Sequence, residues 1–196
     1  MKAEENITWE FCKAATEEML GRLLHLTDEV IHELDVKHGV YLVTCEGPEL
    51  SFGMRNTEAP QVIFVGLDKE NSSRHFTSGF TGTSTMRRSL AALLQNALQL
   101  KAIPRSTDEE DTDRYSNYTL DEESEAKLTQ WMKDHFKLAF YEYDQEQAEK
   151  LHIAMLDYNI PMLNFQNNPN NKYGSEIKKY RKECANQARL NEAALN

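Results

Sequence analysis

Arg74 stands eight residues beyond Gly66, a glycine that closes an apolar run. The fork of a guanidinium matches a pair of phosphate oxygens, so an arginine just past a strand end is a candidate phosphate ligand. Further on, Thr81-Gly82-Thr83-Ser84-Thr85-Met86-Arg87-Arg88-Ser89 opens a helix with hydroxyls and a glycine. Free N–H groups at a helix start attract anions, and two arginines in a first turn oppose the helix dipole. A bound anion relieves that conflict, which makes Thr83, Ser84, Arg87 and Arg88 a candidate phosphate site. The competing expectation is that both arginines pair with the acidic residues of 108–125. Glu149 and His152 form a Glu-x-x-His pair on one helix face, a spacing that can hold a metal. His152 also lies among Ala148, Leu151 and Met155, where a histidine serves as a hydrogen-bonded core residue.

The elements that must position these groups follow from the hydropathy pattern. Ile7, Phe11, Ala15, Met19, Leu23 and Leu26 recur at three- and four-residue intervals, which predicts an amphipathic helix. Gly39 to Cys45 is β-branched and aromatic and runs into Gly47-Pro48, a strand and its stop. Gln61 to Gly66 is continuously apolar, which predicts a central strand. Between the two, Gly47, Pro48, Gly53 and Pro60 suit a hairpin extension. A helix is predicted from Ser84 through Leu98 and another from Asp121 to Asp134. A third strand is predicted at Lys137–Tyr143, then helices from Gln145 to Tyr158 and from a Ser175 cap to Leu190. Residues 106–119 read as an acidic, mobile loop, and Asn164 to Gly174 as an Asn-rich break. This order predicts an α/β fold: a small three-stranded sheet flanked by helices, with an N-terminal helix. Residues 1–35 read as an N-terminal helical extension and 36–196 as the main domain, together one globular unit. Trp9 and Trp131 read as core residues, and Cys12, Cys45 and Cys184 as structural ones.

The 196 residues carry 32 acids and 22 bases, a formal charge of −10, and that average hides a segregation. Residues 108–125 hold nine acids against Arg114 alone, whereas 172–189 hold six bases against Glu176 and Glu183. The overall charge argues against a general nucleic-acid coat protein. The basic tail that begins at Lys172 is nonetheless a candidate nucleic-acid-binding segment. No apolar run approaches the ~20 residues of a membrane span, so no membrane partner is expected. The first residues lack a secretory pattern, and three cysteines without CxxC spacing fit a reducing cytoplasm better than a disulfide scaffold or zinc knuckle.

Taken in order, these features resemble the GIY-YIG nuclease superfamily over about residues 38–189. Gly39-Val40-Tyr41 matches that family's first triplet and Phe64-Val65-Gly66 its second. Arg74 matches its arginine, and Pro161-Met162-Leu163-Asn164 its closing segment. Ser84 to Leu90, Ile103-Pro104-Arg105, Leu128 to Met132 and Arg181 to Cys184 look similar to a bacterial subgroup of the superfamily. The resemblance implies a divalent-metal-dependent endonuclease. In it Tyr41 supplies or positions the attacking oxygen, Arg74 stabilises charge on the phosphoryl group, and Asn164 lines or braces the site. A glutamate would hold one magnesium or manganese ion. Two positions depart: Phe64 stands for the second tyrosine, and His152 stands where the family has that glutamate. A neutral imidazole suits zinc or another transition metal better than magnesium, which takes oxygen ligands. Glu149 lies about 4.5 Å earlier along the helix axis, at 1.5 Å per residue. The resulting expectations are an active nuclease, a weakened relative that binds nucleic acid or a nucleotide, or a protein-interaction module on the same fold.

Overall fold

The computed structural model describes residues 6–46, 61–68 and 71–193. Among the described residues, six α-helices and a four-stranded antiparallel sheet make an α/β architecture. The chain forms two compact units.

Among the described residues the first unit is drawn from 6–46, 61–68, 71–72 and Phe136–Asn171. It contains α1 (Trp9–Leu20), β1 (Leu24–His25), α2 (Asp28–Glu33), β2 (Gly39–Cys45), β3 (Val62–Asp68), β6 (Phe136–Glu142) and α5 (Gln145–Asn159). The sheet order is β1-β6-β2-β3. The three long strands are the expected ones; the fourth, β1, is a two-residue edge strand paired to Leu138 and Lys137. Two residues are too few to leave a periodic signal. Helix α1 begins where the Thr8 hydroxyl accepts from Phe11 N, a cap that satisfies one orphan donor. It ends at Gly21 rather than reaching Leu26.

The sheet separates its residues by parity, as strands must. Val40, Leu42, Val65 and Ala139 pack with Cys12 and Met19 of α1 and Leu151, Met155 and Leu156 of α5. Tyr41, Phe64, Gly66 and Phe140 take the alternate positions. Gly39 sits at φ +144°, and a Cβ there would overlap the Tyr141 carbonyl oxygen, so the strand can begin only with glycine.

Two expectations are corrected here. Strand β3 is not central: it ends the sheet order, although Val62 to Gly66 are buried. Its outer edge is covered by side chains and by the 161–164 segment, so burial and central placement come apart. Trp9 is 56% exposed and meets Tyr158 edge-on at 4.7 Å, whereas Trp131 is buried as expected. The hairpin extension proposed for 46–60 lies outside the described residues except at its ends.

Among the described residues the second unit is drawn from Ser73–His135 and 172–193. It holds α3 (Thr85–Leu98), β4 (Ala102–Ile103), β5 (Thr119–Leu120), α4 (Glu122–His135) and α6 (Gly174–Ala193). Strands β4 and β5 form a two-stranded pair that closes the acidic stretch at its base. That stretch is a run of turns. Arg105 donates twice to the Asp111 carboxylate at 2.7 and 2.8 Å, and Arg105 N donates to Arg114 O. All three cysteines are buried thiols outside any disulfide; burial pushes the Cys184 thiol up to about 11, which suits a structural role. Among the described residues no helix is long and apolar enough to cross a membrane.

Candidate functional site

In the first unit the two triplets are brought side by side. Tyr41 is directly opposite Gly66 on β3 and Phe140 on β6. Its side chain is 0% exposed and lies across Gly66, where a Cβ would overlap the ring's Cζ and hydroxyl. No positive φ is involved at Gly66; glycine is required there for space alone. The Tyr41 ring also meets Phe64 at 6.1 Å and Phe140 at 6.4 Å between centroids. Phe64 is therefore an apolar wall beside Tyr41.

The closing segment braces the strand that carries Gly66. Helix α5 stops at Ile160, in the left-handed region at φ 47°, and Pro161 has no N–H to continue it. The chain turns back along β3, where Leu163 N donates to Ile63 O. One position on, Asn164 binds the Val65 backbone twice. Its Oδ1 accepts from Val65 N at 2.9 Å and its Nδ2 donates to Val65 O at 2.8 Å. A primary amide here stands in for a neighbouring strand and satisfies an edge that would otherwise be open. The Asn-rich run holds Asn164 in turn: Asn168 donates to Pro161 O, and Asn171 donates to Met162 O and Asn164 O. Asparagine residues read as a break thus lace the segment together, and Asn164 uses its amide on the backbone.

His152 joins Asn164 at the same carbonyl. Its Nε2 lies 3.2 Å from Val65 O, and because a carbonyl only accepts, Nε2 carries the proton. His152 is thus a half-buried, hydrogen-bonded histidine on the face of α5 that meets β3. Glu149, one turn earlier, is exposed on α5. The resemblance implies a divalent metal, and these residues do not fit one. Magnesium and manganese favour oxygen donors, and the His152 imidazole has its Nε2 committed to a backbone carbonyl. Among the described residues, no three His, Cys, Asp or Glu side chains gather into a metal-holding group. A cleft of about 390 Å³ in this unit, lined by Arg22, Lys37, Phe140 and Glu142 among others, includes none of the sequence-derived candidates.

The remaining candidates belong to the second unit. Arg74 is half-buried in a 3-10 turn, Ser72–His75. Ser84 caps α3, its hydroxyl accepting from Arg87 N at 3.1 Å and bonded to His75 Nδ1 at 2.8 Å. Thr83 is exposed and donates to Phe80 O. Arg87 is fully buried and spends its donors inside the unit: on Glu125 at 2.6 Å, Thr129 at 3.0 Å and Thr81 at 3.3 Å. The competing expectation, pairing with the acidic stretch, describes Arg87, because a buried guanidinium needs a carboxylate more than an exposed one does. Arg88 is 6% exposed and donates to Thr81 O, Gly82 O and the Thr85 hydroxyl. The dipole conflict in this first turn is thus met by the protein's own carboxylate and carbonyl oxygens. Lys172 is exposed.

His75 went unassigned in the sequence, where its burial leaves no pattern. Burial first, then the positive charges of Arg74 and Arg87, pull its pKa down to about 4. The unfolded chain takes up a proton near 6.5 while the native state resists until about 4. The stability held by neutral His75 is complete above pH 6.5 and declines as pH falls from 6.5 toward 4. The His75 ring resonances should therefore stay those of a neutral imidazole from pH 8 to 5 by NMR. A midpoint near 6.5 would remove this burial argument.

A family model described as the GIY-YIG catalytic domain matches residues 40–183. Searches among curated proteins and among solved structures return no match.

Proposed function

We propose, for a chain that belongs to the GIY-YIG catalytic-domain family, a nucleic-acid-directed function in which phosphodiester binding is kept and metal-dependent cleavage is weakened. The nuclease-like fold supports the first half of this reading. Tyr41, set over Gly66, keeps the hydroxyl of the first triplet, and Arg74 keeps its place in the sequence order. In this reading Arg74 offers a planar fork to two phosphoryl oxygens. Tyr41 contributes a hydroxyl at a rigid position, and Asn164 braces the strand beneath it. The observation that carries the second half is the His152 Nε2–Val65 O hydrogen bond at 3.2 Å. In the place of a metal-holding carboxylate stands a group that serves the β3 edge.

The test is nicking of supercoiled plasmid DNA with magnesium, manganese or zinc. The wild-type protein should nick slowly or not at all. His152→Glu should raise magnesium-dependent nicking by about tenfold or more, the scale on which one charge-stabilising group acts. Adding Arg74→Ala should remove that gain. Rapid wild-type nicking with magnesium, lost in Arg74→Ala alone, would show a competent enzyme and end the weakened-site reading.

A further inference from the structure

Helix α6 is seated in the second unit by Ile177, Cys184, Ala185 and Ala188. Its remaining residues sort by charge around the axis. At 3.6 residues per turn, Ser175, Lys178, Lys179, Lys182, Asn186 and Arg189 share an arc of about 100°. All six are exposed. The helix's two exposed glutamates, Glu176 and Glu183, fall together on the adjoining flank, so the arc itself holds cations, neutral polar groups and the small Ala193, and no carboxylate. Among the described residues the unit's ion pairs are made elsewhere, by Arg87 with Glu125, Arg105 with Asp111, Arg114 with Glu192 and Lys127 with Glu123.

We infer that this outward face of α6 is a docking surface for the backbone of a nucleic-acid duplex. The inference deepens the function proposed above and rests on its nucleic-acid half. Charge complementarity selects the ligand: four exposed cations on one rigid face, in a chain of net charge −10, form a local exception that suits a polyanion. Geometry selects a duplex. From Lys178 to Arg189 the helix advances about 16 Å, close to five base-pair steps of ~3.4 Å. None of the arc's own side chains is an aromatic ring on which unpaired bases would stack, the usual means of holding single strands, and the half-buried Tyr115 ring beside it already has the Arg189 guanidinium over its face at 4.8 Å. Phosphates are therefore its only targets. In the same unit Arg88 holds a buried charge that has no carboxylate partner among the described residues. Burial, with Arg181 and Arg105 nearby, brings its pKa only to about 10, so it stays charged at neutral pH.

The experiment is fluorescence anisotropy of the full chain with a labelled 20-base-pair DNA duplex, about two helical turns, across a salt series. A single strand of equal length forms the second arm. Lys178→Gln/Lys182→Gln is compared with Lys13→Gln/Lys127→Gln, which removes equal charge from exposed lysines elsewhere. The α6 variant should bind the duplex at least about fivefold more weakly, and its log–log salt slope should be shallower by up to about 1.8, two phosphate contacts' worth. The control should bind like wild type. Equal losses in both variants, or none in either, would overturn the surface while leaving nucleic-acid binding standing. Preference for the single strand would overturn the duplex assignment. If the wild-type chain binds neither probe at low salt, the surface and the nucleic-acid reading fall together.

Discussion

Gly66→Ala should lower stability by about 3 kcal/mol, the upper end of overpacking costs, and displace the Tyr41 ring. The backbone at Gly66 is one that alanine tolerates, so the whole effect comes from the added methyl group meeting the ring's Cζ and hydroxyl. Tyr41 cannot step aside cheaply, because it is fully buried between Phe64 and Phe140 on its own sheet face. For a chain of this size each kcal/mol moves the melting temperature by about 2–4 °C, so a fall of roughly 10 °C is expected. Tyr41→Ala by itself should cost about 3–5 kcal/mol through the cavity it leaves. The double variant should be much less destabilised than the sum, because removing the ring removes the obstacle. Additive losses in thermal melts would show that the glycine does not serve the tyrosine. The second triplet's glycine is thus the seat of the first triplet's tyrosine.

Loss of the Glu125 carboxylate should be as damaging in the second unit. Glu125 accepts from Gly79 N, Thr81 N, the Thr119 hydroxyl and Arg87, and so ties the loop before α3 to α4. Glu125→Ala would strand the fully buried Arg87 charge, a change that costs about 3–5 kcal/mol when one partner of a buried pair is removed. Glu125→Leu combined with Arg87→Met should recover most of that loss, because neither charge is then left alone. Burial would push the Glu125 carboxyl up, but Arg87 and the bonds from Thr81 and Gly79 outweigh it and hold the group below its ordinary value. A depressed carboxyl contributes stability that is full above the ordinary carboxylate value and is lost as pH falls through the lowered one. Urea midpoints from pH 7 down to 3 should therefore converge between wild type and the double variant at the acid end. A double variant as unstable as Glu125→Ala at pH 7 would show that the pair's shape, not its charge balance, matters.

What local pattern records, the sequence determined. Strand β2 matches its expected Gly39–Cys45 bounds, and α3 and α5 begin where they were expected, next to Ser84 and at Gln145, whereas Ser175, expected to cap the last helix, lies inside α6, which begins at Gly174. Caps and periodicity act within a few residues, so they are written in the chain itself. The family, too, was legible, because the order of two triplets, an arginine and a Pro-x-x-Asn segment survives loss of individual members. Roles that depend on what lies across space were not legible. An arginine in a helix's first turn looks the same whether it faces solvent or a carboxylate 38 residues away, and only packing put Arg87 against Glu125. An apolar strand reads as central whether another strand or a pair of side chains closes its edge; Asn164 and His152 make β3 the latter. Hydrogen-bond satisfaction is a property of the folded backbone, and the edge left by β3 had to be closed by whatever the chain brought back to it. At His152 that requirement took the imidazole that the sequence alone left open to a metal.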